Sequence, residues 1–572
     1  LQFEDISEKA GVSGDDRWYT GVTMIDINGD GFLDIYCSVG GKYKPKNNQL
    51  FLNNGDGTFS DKSVEFGIDD NGDSIQGTFF DYDKDGDLDL YVANYPPTSF
   101  STPTFLYVHY MNNVKDQQSD HLYRNDGNKF TDVTDEANLR SFGLTLAAVV
   151  GDLNNDSWPD IYVSNDFRSP DFMYINNQDG TFKEVLKSAT SQTAFYGMGV
   201  DISDINNDGN LDIYQADMDA KINRRKKANM GNMVPSLFWE AVNAGFHYQY
   251  MHNCMQLNTG STKDGIPYFS NVSRITGTSS TDWSWGPLIA DYDNDGLKDL
   301  FVTNGTRREV NNNDYFDDLK TAKLTKESLL ERSLNIPSEK IDNFIYRNNG
   351  NLDFEQANDL WGIKYEGFSN GAVYADLDND GDLEIILNNI DDFATVFENR
   401  STEKNNYIKI KFEGTSKNMF GIGNRVYVKT KEQTQMQELT LSRGFQSSVA
   451  PELHFGLNKS DKIDELKVVW GQGETQILKD VNANQTLVLK FKNASNTETK
   501  NEEKIEMLFS EAKNIFPEFK HEENEFDDFL KQVLLPHKMS SFGPALSTLK
   551  CKAKFVPPII INNKIIDFTY MP

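Results

Sequence analysis

A nine-residue pattern, Asp-x-Asp/Asn-x-Asp-Gly-x-x-Asp/Glu, occurs six times in the first 400 residues and limits the possible folds more than any other feature. Its polar positions are Asp26, Asn28, Asp30 and Asp34; Asp81, Asp83, Asp85 and Asp89; Asp152, Asn154, Asp156 and Asp160; Asp204, Asn206, Asp208 and Asp212; Asp291, Asp293, Asp295 and Asp299; and Asp376, Asp378, Asp380 and Glu384. The one lapse is Ser157, which stands where the other copies have glycine. An apolar stretch follows each copy, such as Leu90-Tyr-Val92 or Ile385-Ile-Leu387, and reads as a strand.

A second signature interleaves with the first. Leu50-Phe-Leu-Asn-Asn-Gly-Asp-Gly-Thr-Phe59 recurs at 122–130, 173–182 and 345–354, with a looser copy at 255–269. Asn-Gly and Asp-Gly between apolar residues are strong hairpin signals. Each unit is therefore a loop, a strand, a spacer, a hairpin and another strand. Successive copies start 52 to 87 residues apart, which fits four-stranded propeller blades with insertions. Residues 221–249 and 311–340 read as helix-like insertions.

Positions 1, 3, 5 and 9 of such a loop can converge on one cation, and the position-7 carbonyl can add an oxygen. Position 7 holds Phe32, Asp87, Trp158, Asn210, Leu297 and Asp382, so its side chain is immaterial, as a carbonyl ligand requires. Many hard oxygen donors suit Ca²⁺ better than Mg²⁺. An EF-hand would need a bidentate Glu at position 12, where Cys37, Val92, Val163, Gln215, Val302 and Leu387 stand. Plain turn chemistry explains one such loop but not six with an acid at position 9. Up to six Ca²⁺ ions are expected, in a structural role, with Ser157 marking the third loop as the weakest site.

These residues resemble the FG-GAP/VCBS repeat family, whose integrin-like propellers carry Ca²⁺ in such loops and usually have seven blades. Thr281-Asp-Trp-Ser-Trp-Gly286 and Asn165-Asp166 are similar to bacterial surface proteins that pair this propeller with an ASPIC/UnbV domain. Tyr407-Ile-Lys-Ile-Lys-Phe412, Gly421-Ile-Gly-Asn-Arg-Val426, Ser442-Arg-Gly-Phe-Gln-Ser447, His454-Phe-Gly-Leu457 and Leu466-Lys-Val-Val-Trp-Gly471 resemble that domain. Core packing is the expected role of Trp283 and Trp285, and a structural role that of His454.

The expected fold is all-β. A propeller spans 1–400, with six repeat-bearing blades visible and seven expected in the intact protein. A small β-sandwich-like ASPIC/UnbV domain spans 401–493. A polar linker and helix follow at 494–535, and 536–572 reads as the start of a truncated second propeller or an aberrant tail. Phe3-Glu-Asp-Ile6 matches the last strand of a unit. It either closes the ring against the Asp376 blade or marks a lost upstream blade; the latter is preferred.

The 572 residues carry a net charge of −31, which excludes nucleic acid and argues against anionic membrane surfaces. Cys37, Cys254 and Cys551 offer no disulfide framework. No apolar run reaches the ~18 residues of a membrane span. The expected function is a non-catalytic, calcium-stabilised binding or adhesion module for a glycan or protein ligand, outside the cell or on its surface. The alternative is a glycosidase or lyase acting from the propeller face. No nucleophile motif accompanies the seven histidines, and His247 and His252 lack a third zinc ligand. Aromatic residues Tyr95, Phe100, Phe105, Tyr107 and Tyr110 could stack on sugars, although packing over the propeller face is the commoner use.

Overall fold

In the computed structural model, the described residues are 2–98, 102–127, 129–229, 234–321, 325–495 and 527–532, with the backbone of short strands at 546–547, 559–561 and 564–566. The repeat builds blades. Blade 1 comprises Tyr19–Ile25, Asp34–Val39, Gln49–Asn53 and Phe59–Asp61, hydrogen-bonded in sequence order. Blades 2 and 3 repeat this meander, starting at Ser74–Phe80 and Thr145–Gly151. Blade 4 starts at Val200–Ser203, and blade 5 at Asp282–Ala290, where Met218–Asp219 adds a fifth strand. Blade 6 has three strands: Ser369–Ala375, Glu384–Asn389 and Thr395–Phe397.

The first strands of consecutive blades lie against one another, so they are the innermost. The second strands are sandwiched between blades. Asp89–Asn94, Asp160–Asn165 and Asp299–Asn304 are buried at every residue, which is why they read as continuous apolar runs rather than alternating ones. Tyr36, Tyr91, Tyr162 and Tyr214, two residues after the loop acid, are fully buried, and each hydroxyl has a partner. The insertions fold as expected, into helices Asn223–Ala228, Pro235–Asn243, Asn313–Thr321 and Lys326–Leu334.

Residues 3–6 form no strand, contrary to the sequence expectation. Phe3 is 73% exposed, and the sixth sheet gains no fourth strand from this segment. What repeats there is the next part of the unit. Ser7–Ala10 is a one-turn helix closed by left-handed Gly11, as Ser63–Phe66 is by Gly67.

The second β domain packs two sheets face to face. Asn406–Glu413 lies between Leu453–Asn458 and Gln485–Lys490, and a four-stranded sheet runs in the order Thr434–Glu438, Arg425–Lys429, Lys462–Val469, Thr475–Asn482. Its core, including Ile408, Val426, Phe455, Leu466 and Trp470, is continuous with Ile25, Ile27 and Leu88 of blades 1 and 2. The whole stretch Leu1–Thr497 is one compact unit.

The second unit is Glu498–Pro572. Its described parts are a 3-10 turn at Asp528–Leu530 and an antiparallel sheet of Leu546–Ser547, Ile559–Ile561 and Lys564–Ile566. The expected linker and helix at 494–535 and the expected tail at 536–572 lie mostly outside the described residues.

Candidate metal loops and a central plug

All six nonapeptides join the first strand of a blade to the second, so they share one face of the propeller. Their internal geometry is the same throughout. The position-1 carboxylate accepts the position-6 backbone N–H at 2.7–3.2 Å in every loop. The position-5 carboxylate accepts the position-7 N–H at 2.9–3.2 Å. These bonds curl the chain around one point. Position 6 takes a left-handed backbone; Ser157 does so at φ 72°, the conformation that glycine supplies in the other copies.

Position 9 differs from the other three. All six position-9 acids are fully buried. One carboxylate oxygen accepts the position-2 N–H at 2.7–3.0 Å. The other accepts the N–H of an asparagine on the third strand, or in blade 6 just beyond it, at 2.7–3.3 Å. These asparagines, Asn53, Asn125, Asn176, Asn258, Asn348 and Asn399, return their side-chain N–H to the position-8 carbonyl at 3.0–3.3 Å. Four also reach the position-2 carbonyl of the preceding blade: Asn176 to Tyr82, Asn258 to Leu153, Asn348 to Ile205 and Asn399 to Tyr292. Position 9 is thus a clamp between loop and hairpin, and the asparagine stitches neighbouring blades. The sequence signal for these asparagines is an apolar-x-x-Asn run that recurs in every unit, less conspicuous than the acidic loops.

The loop acids, position-9 Glu384 of the sixth loop among them, are held together at high electrostatic cost. Ligand atoms of Asp81, Asp83 and Asp85, of Asp291, Asp293 and Asp295, and of Asp376, Asp378 and Glu384 lie within 4.8 Å of one another. Burial, and then the neighbouring carboxylates, push Asp81 up to about 7. Asp291 rises to about 8, chiefly by burial. The Asp81 and Asp376 Oδ1 atoms are buried without a hydrogen-bond partner. An all-oxygen set with buried, unsatisfied carboxylate oxygens fits a hard divalent cation, whose charge would offset both the desolvation and the repulsion.

A fourth acidic group, Asp116, His121 and Asp132, does not suit a metal. Both ring nitrogens of His121 are engaged, Nδ1 by the Asp70 carboxylate and Nε2 by the Asp116 carbonyl at 3.0 Å. Burial opposes the imidazolium, but the Asp70 bond outweighs it and raises His121 to about 9. His247 and His252 are bonded separately, to Thr190 and to the Asn253 carbonyl.

The second β domain covers the loop face. Lys417 Nζ lies 3.4 Å from Asp85 and 3.2 Å from Asp87. Arg425 reaches Asp152 at 3.1 Å and Asn155 at 3.1 Å. His454 Nε2 lies 2.7 Å from Asn294 Oδ1, and Lys409 pairs with Asp376. Gly29 leaves no space, since a Cβ there would stand 2.0 Å from the Ser416 carbonyl.

From this domain the hairpin 442–448 enters the propeller axis and touches the innermost strand of every blade. Ser442 Oγ donates to the Gly77 carbonyl at 3.1 Å, and Val200 N–H donates to the Gly444 carbonyl at 3.1 Å. Met24 N–H donates to Ser448 Oγ at 3.3 Å. Arg443 is buried and pairs with Asp201 at 2.8 Å, while donating to the Ile202 carbonyl at 2.6 Å. Phe445 packs on Trp285 at 4.9 Å, so that tryptophan, like the 8%-exposed Trp283, is core.

Comparison with known proteins agrees with this architecture. Residues 26–92 and 152–214 match the FG-GAP-like repeat, and residues 414–496 match the ASPIC and UnbV family. The chain carries FG-GAP-like repeats and an ASPIC/UnbV domain. It is similar to cartilage acidic protein 1 of Homo sapiens, at 24% identity over 79% of this chain and 60% of that protein. Its counterpart in Xenopus tropicalis is 23% identical over 84% of this chain and 66% of that protein. The chain thus spans about 60% of the length of the human relative. A lectin structure from Agrocybe aegerita aligns over 69% of this chain and 84% of its own at 16% identity, with a TM-score of 0.34. The ASPIC/UnbV domain is therefore not an appendage beside the FG-GAP blades but the lid on their loop face and the plug in their axis. Among the described residues, no helix is long and apolar enough to cross a membrane.

Proposed function

We propose that the chain is a non-catalytic, calcium-stabilised binding module of the extracellular space, with the loop carboxylates Asp26 to Glu384 holding up to six Ca²⁺ ions. The observation that carries this reading is the convergence of buried carboxylates in loops whose backbone already curls around one point. When bound, Ca²⁺ would supply charge compensation. The chain's own residues do the rest: positions 1, 3 and 5 present oxygens, and the position-9 acid holds the loop to its hairpin. Loop 2 is the strongest site, because Asp81, Asp83 and Asp85 are close and Asp81 Oδ1 is orphaned. Loop 3 is the weakest, because it combines a left-handed serine, Ser157, with the Arg425 guanidinium against Asp152.

The ligand of such a module is a glycan or a protein, and adhesion is the role that fits a rigid disc. The likeness to cartilage acidic protein 1 supports an extracellular setting. A polysaccharide-acting enzyme would need free carboxyls facing a cleft. Asp166 and Asp217, raised by burial to about 7 and 8, instead accept backbone N–H groups of Phe167, Phe195 and Tyr196. Depolymerisation assays on acidic and neutral polysaccharides test this reading. No turnover is expected; turnover abolished by a single carboxylate substitution outside the loops would overturn it.

A further inference from the structure

The face opposite the metal loops carries a cavity of about 390 Å³, within the range of about 300–1,000 Å³ usual for small-molecule sites. In each blade the second strand runs away from the metal loop, so the connections to the third strand gather on that opposite face. Several of them build the cavity. Tyr107 comes from helix Thr104–Asn112, Phe167 and Arg168 from the turn after Asp160–Asn165, Phe195 and Tyr196 from the approach to blade 4, and Phe238 from helix Pro235–Asn243.

The aromatic walls are fixed in place. Tyr196 meets Phe167 edge-on at 5.6 Å and Phe195 at 4.7 Å. Two buried carboxylates anchor the backbone beneath them. Asp166 accepts the Phe167 N–H at 2.7 Å and the Tyr95 hydroxyl at 3.1 Å. Asp217 accepts the N–H groups of Phe195, Tyr196 and His252 at 2.8–3.3 Å. Walls held this way lose little further freedom when a ligand enters.

Arg168 is the exception among these satisfied groups. It is half-buried, and its hydrogen bond among the described residues is a long one, 3.5 Å to Thr104 Oγ1. A guanidinium has five donors. Asp166, two residues away, spends its oxygens on Phe167 and Tyr95 and does not pair with it. The Arg168 charge acts on the hydroxyls of Tyr107 and Tyr196, so it sits at the cavity wall. In a chain of net charge −31, a partly desolvated guanidinium without a carboxylate partner among the described residues marks the place of an anion supplied from outside.

We propose that this cavity binds an acidic sugar, its carboxylate on the Arg168 fork and its ring faces against the aromatic walls. The Tyr196 hydroxyl and Asn311, both lining the cavity, would meet sugar hydroxyls, which a purely aromatic carboxylate would leave unused. The inference rests on the binding-module reading and names its ligand class.

Isothermal titration of the full chain with glucuronate, galacturonate and N-acetylneuraminate, beside glucose, galactose and benzoate, tests it. At least one acidic sugar is expected to bind tenfold or more tightly than the neutral sugars and than benzoate. Arg168→Ala should remove that preference without shifting the melting temperature, and Phe238→Ala should weaken acidic and neutral sugars alike. Equal binding of acidic and neutral sugars, binding by none of the three acids, benzoate binding as tightly as the best acid, or a preference that survives Arg168→Ala would each overturn the proposal. None of these results touches the binding-module reading, which falls separately on polysaccharide turnover.

Discussion

Replacing Arg443 with Ala tests whether the hairpin 442–448 holds the propeller together or merely rests in it. The guanidinium is 7% exposed and its partner Asp201 is fully buried. Asp201 keeps two backbone donors, Ile202 N–H at 2.9 Å and Ile289 N–H at 2.7 Å, but loses its cationic partner. Removing one member of a buried pair costs about 3–5 kcal/mol, because the remaining charge stays desolvated. Unfolding entropy of about 2.1 cal/mol/K per residue gives about 1 kcal/mol/K for a unit the size of Leu1–Thr497. The melting temperature should therefore fall by about 3–5 °C in scanning calorimetry. Adding Asp201→Asn to Arg443→Ala removes the stranded charge, so the double variant should recover at least about 1 kcal/mol relative to additivity. A shift below about 1 °C, or additive single effects, would refute the reasoning: the plug would then contribute shape but no coupling.

Other parts of the account yield further expectations. Asp89→Asn leaves one of the Tyr82 and Asn125 N–H groups without an acceptor, a loss of about 1–3 kcal/mol that denaturant melts should register even in chelator. Asp83→Asn should instead lower calcium affinity in titration calorimetry and, by relieving repulsion with Asp81 and Asp85, leave the chelated protein at least as stable. Ser157→Gly relieves a left-handed serine and should raise stability by about 1 kcal/mol in the same melts. His121 carries a raised folded pKa of about 9, so its contribution is fully present below its unfolded value of about 6.5 and is lost as pH rises through 9. That contribution is on the order of 3 kcal/mol at most, and His121→Gln should flatten the stability profile between pH 6.5 and 9.

The repeat made the blades legible because its chemistry is local. A left-handed position 6, an acid at position 9 and the run that follows specify a loop and a strand without reference to anything distant. The helical insertions were equally readable. The ASPIC/UnbV motifs were readable as strands, but their placement was not. Ser442-Arg-Gly-Phe-Gln-Ser447 looks like one more polar hairpin until Arg443 is seen against Asp201, 242 positions away in sequence. The spacing of position 9 points to a metal ligand; its hydrogen bonds to the hairpin depend in addition on a register that the nonapeptide does not encode. Phe3-Glu-Asp-Ile6 failed for the opposite reason. The local motif is present, but a strand needs a neighbouring edge, and among the described residues none pairs with 3–6. The cavity around Arg168 draws on separate insertions, so no single stretch of sequence announces it.

The central claim is that the buried loop carboxylates are cation cages under the ASPIC/UnbV lid. The most direct measurement is a calorimetric melt of the full chain after chelation, followed by graded addition of Ca²⁺ and, separately, Mg²⁺. An ion that binds the native state must raise the melting temperature, so the account predicts a climb with Ca²⁺ concentration, steeper than with Mg²⁺. A melting temperature indifferent to chelator and to millimolar Ca²⁺ would contradict the account.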